Sequence, residues 1–332
     1  MRILVIGGTL FIGKLLVKRL LEAGHEVTLL HRKAKNPFGS GVADAVADRN
    51  DASAIKSTLA GRRFDAVYDI AYDWQRGTTA RQVEATARAI PGDLARYVFM
   101  SSVGAYGGGL NHDEDDALAP SAHPSDYVRN KAESERALFR LHREMGFPAV
   151  TFRPPFVYGA ENPFYREAFF WDRLRAGRPV IVPGDGSRLM QFVYVNDLVA
   201  ACLAALEDPA APGRAYNIGH ETPLTHLEAV HALAAACGKP AEIVRVPREI
   251  IERHGGHVFR EPLYFGETYD LPPITERIAR VERELGVTVT PFARGLAETF
   301  QWYAAQAPRR KLDFTFEDKL IREAHDSARS HI

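Results

Sequence analysis

Apolar residues follow two rhythms along the first half of this chain. Short, nearly unbroken runs at 2–6, 25–30, 42–47, 65–70, 96–101 and 149–152 have the length and bounding residues of buried strands. Between them the spacing turns helical. Phe11, Ile12, Leu15, Leu16 and Leu20 lie on one helix face, and Gly24 marks its end. Further helices are predicted over 51–60, 78–90 and 126–145, the last stopped by Gly146 and Pro148. Repeated strand–helix alternation predicts an α/β fold, a Rossmann-type doubly wound parallel sheet.

The rhythm breaks after Arg153-Pro154-Pro155. Aromatic residues crowd the next stretch, with Phe164, Tyr165, Phe169, Phe170 and Trp171. A strand at 191–195 and a helix at 196–206 return to the first pattern, and from 223 the chain is helix-rich and punctuated by proline. These shifts predict a dinucleotide-binding domain at 1–160 with a return segment at about 190–220. A smaller, helix-rich substrate domain takes 161–189 and 221–305. The tail at 306–332 is highly charged but carries Leu312, Phe314, Phe316, Leu320 and Ile321, which predicts that it docks on the body.

Composition narrows the partners. Lys plus Arg and Asp plus Glu are 42 each, so no global field recruits nucleic acid or a charged membrane. Two cysteines, Cys202 and Cys237, fit a reducing compartment. No apolar run reaches the about 18 residues of a membrane span. A cytoplasmic protein with no membrane partner is the expectation. His254-Gly-Gly-His257 has no Cys or carboxylate partner that completes a ligand set, so a loop and no metal are expected there.

Chemistry enters with the first turn. Gly7-Gly8-Thr9-Leu10-Phe11-Ile12-Gly13 lies between a predicted strand and a predicted helix, the setting of a dinucleotide fingerprint. Glycine lets backbone approach a pyrophosphate, and the helix N-terminus favours its charge. The middle position holds Leu10 where the pattern has glycine, so the pyrophosphate is expected to shift toward the amides of Phe11 and Ile12. At the end of the second strand stand His31, Arg32 and Lys33, with no carboxylate for a ribose hydroxyl. Cations suit a 2′-phosphate, which favours NADP over NAD.

Tyr127 and Lys131 stand four apart on the 126–145 helix, and Ser101-Ser102 ends the strand before it. A tyrosine with its ordinary pKa near about 10 is a poor base at neutral pH. A lysine one turn on shares its face and favours the phenolate. Ser102 at a strand end holds the substrate oxygen beside Tyr127 while a nicotinamide exchanges hydride at the same carbon. Ser102, Tyr127 and Lys131 are therefore the expected catalytic set.

In combination these residues resemble the extended short-chain dehydrogenases/reductases, which include UDP-galactose 4-epimerase and sugar-nucleotide dehydratases. The likeness runs through the glycine turn at 7–13, Asp48, Ser-Ser-Val-Gly-Ala-Tyr-Gly at 101–107, Tyr-Val-Arg-Asn-Lys at 127–131 and Arg-Pro-Pro-Phe-Val-Tyr-Gly at 153–159. It continues through Gly-Asp-Gly at 184–186, Phe-Val-Tyr-Val-Asn-Asp at 192–197 and Tyr-Asn-Ile-Gly at 216–219. The resemblance implies that Asp48 meets the adenine, Ala71 lines the cofactor groove and Pro154 joins the cofactor contacts beside Gly7, Thr9, Leu10, Phe11, Ile12, Gly13, His31, Arg32, Tyr127 and Lys131. It also implies a homodimer through the helices at 78–90 and 126–145.

Departures from the family bear on substrate. Met190-Gln191 replaces the Arg-Asp whose Arg grips the diphosphate, and Arg188 is the nearby cation. Val103-Gly104 follows Ser102 where the dehydratases carry Asp-Glu, which argues against sugar dehydration. These changes look like an outlying branch that includes the chloroplast stem-loop-binding proteins. Two readings follow: an NAD(P)-dependent oxidoreductase or epimerase acting on a sugar or sugar nucleotide, and an RNA-binding protein on a retained dehydrogenase scaffold. The retained Ser102, Tyr127 and Lys131 favour the enzyme. Its substrate walls are expected to be Ser102, Val103, Tyr127, Pro155, Arg188 and the aromatic residues of 162–171.

Overall fold

The computed structural model describes residues 1–32, 36–256, 272–306 and 311–329. Five strands come from the first half: β1 (Arg2–Ile6), β2 (Glu26–His31), β3 (Ala43–Val46), β4 (Ala66–Asp69) and β5 (Arg96–Met100). Ala149–Arg153 and Ala215–Asn217 complete one parallel sheet of seven strands. Its order is Ala215–Asn217, Ala149–Arg153, β5, β4, β1, β2, β3. The chain thus reverses direction across the sheet between β1 and β4, which opens the crevice where such folds bind ligands. This is the Rossmann-type α/β architecture that the strand–helix rhythm predicts.

Alternation within β1 explains the two covering layers. Ile3 and Val5 share a core with Leu16, Val17 and Leu20 of helix α1 (Phe11–Glu22). Leu4 and Ile6 face the other way, into a core with Ile55 of α2 (Ala52–Thr58), Val83 and Ala87 of α3 (Ala80–Ala89), and Leu138 and Leu141 of α4 (Asp126–Met145). Each such side chain fully buried stabilises the fold by about 1.5–3 kcal/mol. Local signals agree with this packing. Thr79 and Gln82 form a capping box at the start of α3, and Gly146 ends α4 at φ 69°.

The described residues group into two units: Met1–Val157, Gln191–Glu221 and Ile274–Val289 form the first, and Tyr158–Met190, Thr222–Pro273 and Thr290–Ile332 the second. Residues 274–289, expected in the substrate domain, belong to the first unit. Ile274–Glu276 pairs with Gly109–His112, and Ile278 and Val281 enter the α1-side core. Gln191 clamps the junction, donating from Nε2 to the Glu276 carbonyl at 2.9 Å and accepting from the Glu276 amide at 2.8 Å. No local pattern in the sequence announces that pairing across 85 residues.

In the second unit the aromatic run is mostly core. Phe169, Phe170 and Trp171 are buried, and Trp171 Nε1 donates to the Leu233 carbonyl at 3.0 Å. The tail helix Thr315–Arg329 packs within this unit. Leu320 is fully buried, Glu317 accepts from Arg173 Nε at 2.8 Å, and His254 donates to Glu323 at 2.6 Å. His254 therefore has a structural partner, while His257 lies outside the described residues.

One buried carboxyl in the first unit has a clear thermodynamic signature. Glu276 is 2% exposed, its Oε1 accepts from the Ile218 amide at 3.1 Å, and its Oε2 has no hydrogen-bond partner among the described residues. Burial pushes its pKa well above the usual carboxyl range, and Glu114 and Glu135 push the same way. The folded chain keeps this proton while the unfolded chain loses it, so stability falls as pH rises above the ordinary carboxyl pKa. Glu276→Gln keeps the shape and removes that penalty. Thermal melts from about pH 4 to 7 should show the variant's melting temperature rising relative to wild type as pH increases. A variant destabilised equally at every pH would contradict a protonated Glu276.

Candidate functional site

Glycine is required in the first turn by close backbone approach. A Cβ on Gly13 would lie 2.1 Å from the Gly7 carbonyl oxygen, and one on Gly7, itself at φ 93°, would lie 2.9 Å from the Ala71 amide. Gly8 has a different role: a Cβ there would strike Leu29 and Val17, so it sets the contact of α1 with the sheet. Leu10 turns its side chain to solvent, 68% exposed, on extended backbone. The left-handed conformation falls instead on Phe11, at φ 40°, a strain of about 1–3 kcal/mol for a non-glycine residue. No side chain caps α1 and no acidic residue stands in its first turn. Backbone closeness and an uncapped helix N-terminus fit a dinucleotide pyrophosphate at Gly7, Thr9, Leu10, Phe11, Ile12 and Gly13.

The ribose end differs from the expectation. His31 donates from Nε2 to Asp44 at 2.7 Å, so its side chain is tied to β3. Arg32 is 64% exposed and reaches Asp73 at 3.5 Å. Asp73 also binds Arg76, at 2.7 Å, and Arg76 binds Asp48 at 2.6 Å. The hydrogen bonds to Arg76 and the Gln75 and Arg76 amides hold the Asp73 carboxyl down at about 2. A carboxylate is thus present after all, brought from the end of β4 to a cation 41 residues earlier. Asp48, assigned to the adenine by resemblance, is held by Arg76 and by the Asn50 amide at 3.0 Å. Lys33 lies outside the described residues.

The reacting groups converge through α4. Ser102 Oγ accepts from the Gly104 amide at 3.0 Å, and the Val103 amide donates to the Pro154 carbonyl at 3.1 Å. A Cβ on Gly104 would lie 3.3 Å from Ser102 Oγ and 3.4 Å from the Tyr127 ring, so Gly104 stands close to both. Lys131 is 4% exposed and donates to the Met100 carbonyl at 2.6 Å. Its ammonium lies 5.8 Å from the Tyr127 ring centroid, 5.1 Å from Tyr72 and 5.0 Å from Phe99. Burial pulls its pKa down to about 8, against an opposing pull from Asp69.

Three features escaped the sequence reading. Glu135 is one turn beyond Lys131 and fully buried, where it accepts from Thr151 and Arg153 and from Ser101. Ser101 is therefore tied to Glu135, while Ser102 Oγ accepts from the Gly104 amide. The Tyr72–Gly77 turn puts Trp74 against Tyr127, with ring centroids 5.2 Å apart. The acidic stretch Asp113–Asp116 contains Glu114, which is 8% exposed and accepts from the Asn217 amide at 3.1 Å. The i, i+4 spacing of Tyr127, Lys131 and Glu135 was the available signal for the first of these.

Ser102, Val103, Tyr127 and Pro155 belong to the first unit and Arg188 to the second, where its carbonyl accepts from the His226 amide at 2.9 Å. Met190, in the position of the family's arginine, is 5% exposed and pairs with Leu224. Phe169, Phe170 and Trp171 are buried in the core of the second unit. Among the described residues no cluster of three or more His, Cys, Asp or Glu is arranged to hold a metal, and no helix is long and apolar enough to cross a membrane.

The chain belongs to the NAD dependent epimerase/dehydratase family, whose profile matches residues 3–219. The resemblance drawn from the motifs is thereby borne out. Chloroplast stem-loop binding protein of 41 kDa b from Arabidopsis thaliana is 32% identical over 343 residues, covering 96% of this chain and 84% of that protein. A dTDP-glucose 4,6-dehydratase from Streptomyces niveus is 28% identical over 334 residues, covering 91% of this chain and 93% of the other. Among solved structures, the dTDP-glucose 4,6-dehydratase of Bacillus anthracis in complex with NAD matches with a TM-score of 0.74 at 19% identity, covering 92% of this chain and 96% of the other. At that identity the likeness carries the fold alone.

The buried lysine has a cost that melts can read. Its folded pKa of about 8 is below the ordinary 10.5, so the unfolded chain binds more protons between those values. Stability therefore rises with pH across that window, and the penalty is full below it. Lys131→Met should melt higher than wild type at pH 7, with the gap closing as pH approaches 10. A gap that does not change with pH would mean that Lys131 is not buried as described.

Proposed function

We propose that the chain is an NAD(P)-dependent oxidoreductase or epimerase that acts by hydride transfer at a hydroxyl or keto carbon of a sugar or sugar nucleotide. The observation that carries this reading is Gly104, which faces both Ser102 Oγ and the Tyr127 ring, with Lys131 buried one helical turn beyond Tyr127. A bound nicotinamide supplies the hydride acceptor. Tyr127 Oη takes the hydroxyl proton as the carbonyl forms, Ser102 Oγ donates to the same oxygen, and the Lys131 ammonium favours the phenolate. Val103-Gly104 in place of an Asp-Glu pair supports simple oxidation or epimerisation over dehydration. In Tyr127→Phe the fold should persist, by circular dichroism, while turnover of an oxidisable sugar nucleotide falls about 100- to 10,000-fold. Turnover within a few-fold of wild type would remove Tyr127 from the mechanism.

The cofactor reading favours NADP over NAD. Two exposed guanidiniums, Arg32 and Arg76, meet at Asp73 and offer a 2′-phosphate paired donors, while Asp73 itself opposes its charge. Calorimetric titration should give tighter binding of NADP, with the preference shrinking in Arg32→Ala. Tighter NAD binding that Arg32→Ala leaves unchanged would overturn the preference.

A second reading is RNA binding, favoured by the stem-loop binding relative alone. The equal counts of acidic and basic residues weigh against it, because nucleic acid is held largely by phosphate neutralisation.

A further inference from the structure

The Lys131 ammonium is held among aromatic rings. One of its N–H groups donates to the Met100 carbonyl at 2.6 Å. The same nitrogen lies 5.0 Å from the ring centroid of Phe99, 5.1 Å from that of Tyr72 and 5.8 Å from that of Tyr127. A ring face within about 6 Å attracts a cation, and does so more strongly once both are out of water. Lys131 is 4% exposed, so the attraction is at full strength here. Three charged side chains act on it as well. Asp69 of β4 and Glu135 of its own helix favour the charged form, and Arg49 opposes it.

Tyr72 is the ring of this set that is anchored from every side. Its edge meets Tyr127 with the centroids 5.0 Å apart and the planes at 81°. Its hydroxyl accepts from Asn130 Nδ2 at 3.1 Å, and Asn130 stands between Tyr127 and Lys131 on α4. The backbone on either side is fixed too. The Ala71 amide donates to the Ile6 carbonyl at 3.1 Å, and the Asp73 amide donates to Thr78 Oγ1 at 3.1 Å. One half-buried side chain after β4 thus touches the phenol, the ammonium and the residue between them.

We infer that Tyr72 is a positioning residue whose π face holds the buried Lys131 ammonium next to Tyr127. The inference rests on the proposed reading of the site and adds a residue that acts through the reacting pair without touching substrate. Burial disfavours the ammonium and pulls its pKa down to about 8. The negative face of the Tyr72 ring offsets part of that cost. A lysine that lost its proton would no longer favour the Tyr127 phenolate. The ring face therefore extends the pH range over which the pair works.

The test grades the charge of the ring face while keeping the ring, so that the fold is not at stake. The full chain is prepared as wild type, as Tyr72→Phe, and with monofluorinated and trifluorinated phenylalanine at position 72. Fluorine draws electron density from the face that attracts the cation. The Lys131 pKa is read from the carbon-13 shift of its Cε, with the signal assigned by its loss in Lys131→Met. Tyr72→Phe keeps the face and should titrate within about 0.3 unit of wild type, while fluorination should lower the pKa stepwise, by about one unit at the trifluorinated ring. With NADP and an oxidisable sugar nucleotide, the alkaline limb of kcat/KM should move to lower pH in the same order. A Lys131 pKa that stays fixed along the fluorine series would overturn the inference. So would a drop already complete in Tyr72→Phe, which would place the effect in the hydroxyl bond to Asn130. A graded pKa with an unmoved pH profile would overturn it too, because Lys131 would then be held but not used. A wild type that turns over no sugar nucleotide would instead bring down the reading of the site, and the pKa series would still decide whether Tyr72 holds Lys131.

Discussion

Glu135 is the contact on which the arrangement of this site depends. It is fully buried on α4 and bonds to Ser101 after β5 and to Thr151 and Arg153 on the neighbouring strand. Those bonds set the height and rotation of the helix over the ends of two strands. Lys131 and Tyr127 follow on the same face, one and two turns toward the N-terminus. Ser102 follows Ser101 directly along the chain. One carboxylate therefore fixes both sides of the site. A buried ion pair of this kind adds little net stability over a well-packed apolar substitute, but breaking it by removing one partner leaves an uncompensated charge worth about 3–5 kcal/mol. Its value here is position.

The site accepts other costs of the same sort. Lys131 is buried so fully that its pKa falls to about 8, and Phe11 takes a left-handed backbone conformation next to Leu10, which stands where the fingerprint has glycine. Trp74 is 66% exposed although it stacks on Tyr127. These three residues, each unfavourable on local grounds, all lie near the carboxyl ends of β1, β4 and β5, at the edge of the crevice where the sheet order reverses. Local rules that fail together in one place mark a site better than any of them alone.

Much of this was legible in the sequence, because it is written in local patterns. The strand runs and helical spacing gave six of the seven sheet strands to within a residue or two, without Ala215–Asn217, and α4 was bounded correctly by Gly146. The glycine turn and the Tyr127–Lys131 spacing are also local. What stayed hidden depends on contacts between distant segments. Asp73 reaches Arg32 only once β4 lies beside β1, and residues 274–289 join the first unit only when Gln191 meets Glu276. Ser101 and Ser102 cannot be told apart in one dimension, since Glu135 makes the distinction. The aromatic run at 164–171 signalled burial, but not whether the burial was a core or a ligand wall.

The central claim is that this geometry moves a hydride between a bound nicotinamide and a sugar carbon. The most direct measurement is a single-turnover absorbance experiment on the purified chain loaded with NADP or NAD and mixed with UDP- and dTDP-sugars. The account predicts that the absorbance of reduced nicotinamide appears on mixing, whether it then decays, as in epimerisation, or persists. A protein that holds the dinucleotide, shows no reduction with any hydroxyl sugar and binds a structured RNA with a steep salt dependence would contradict it.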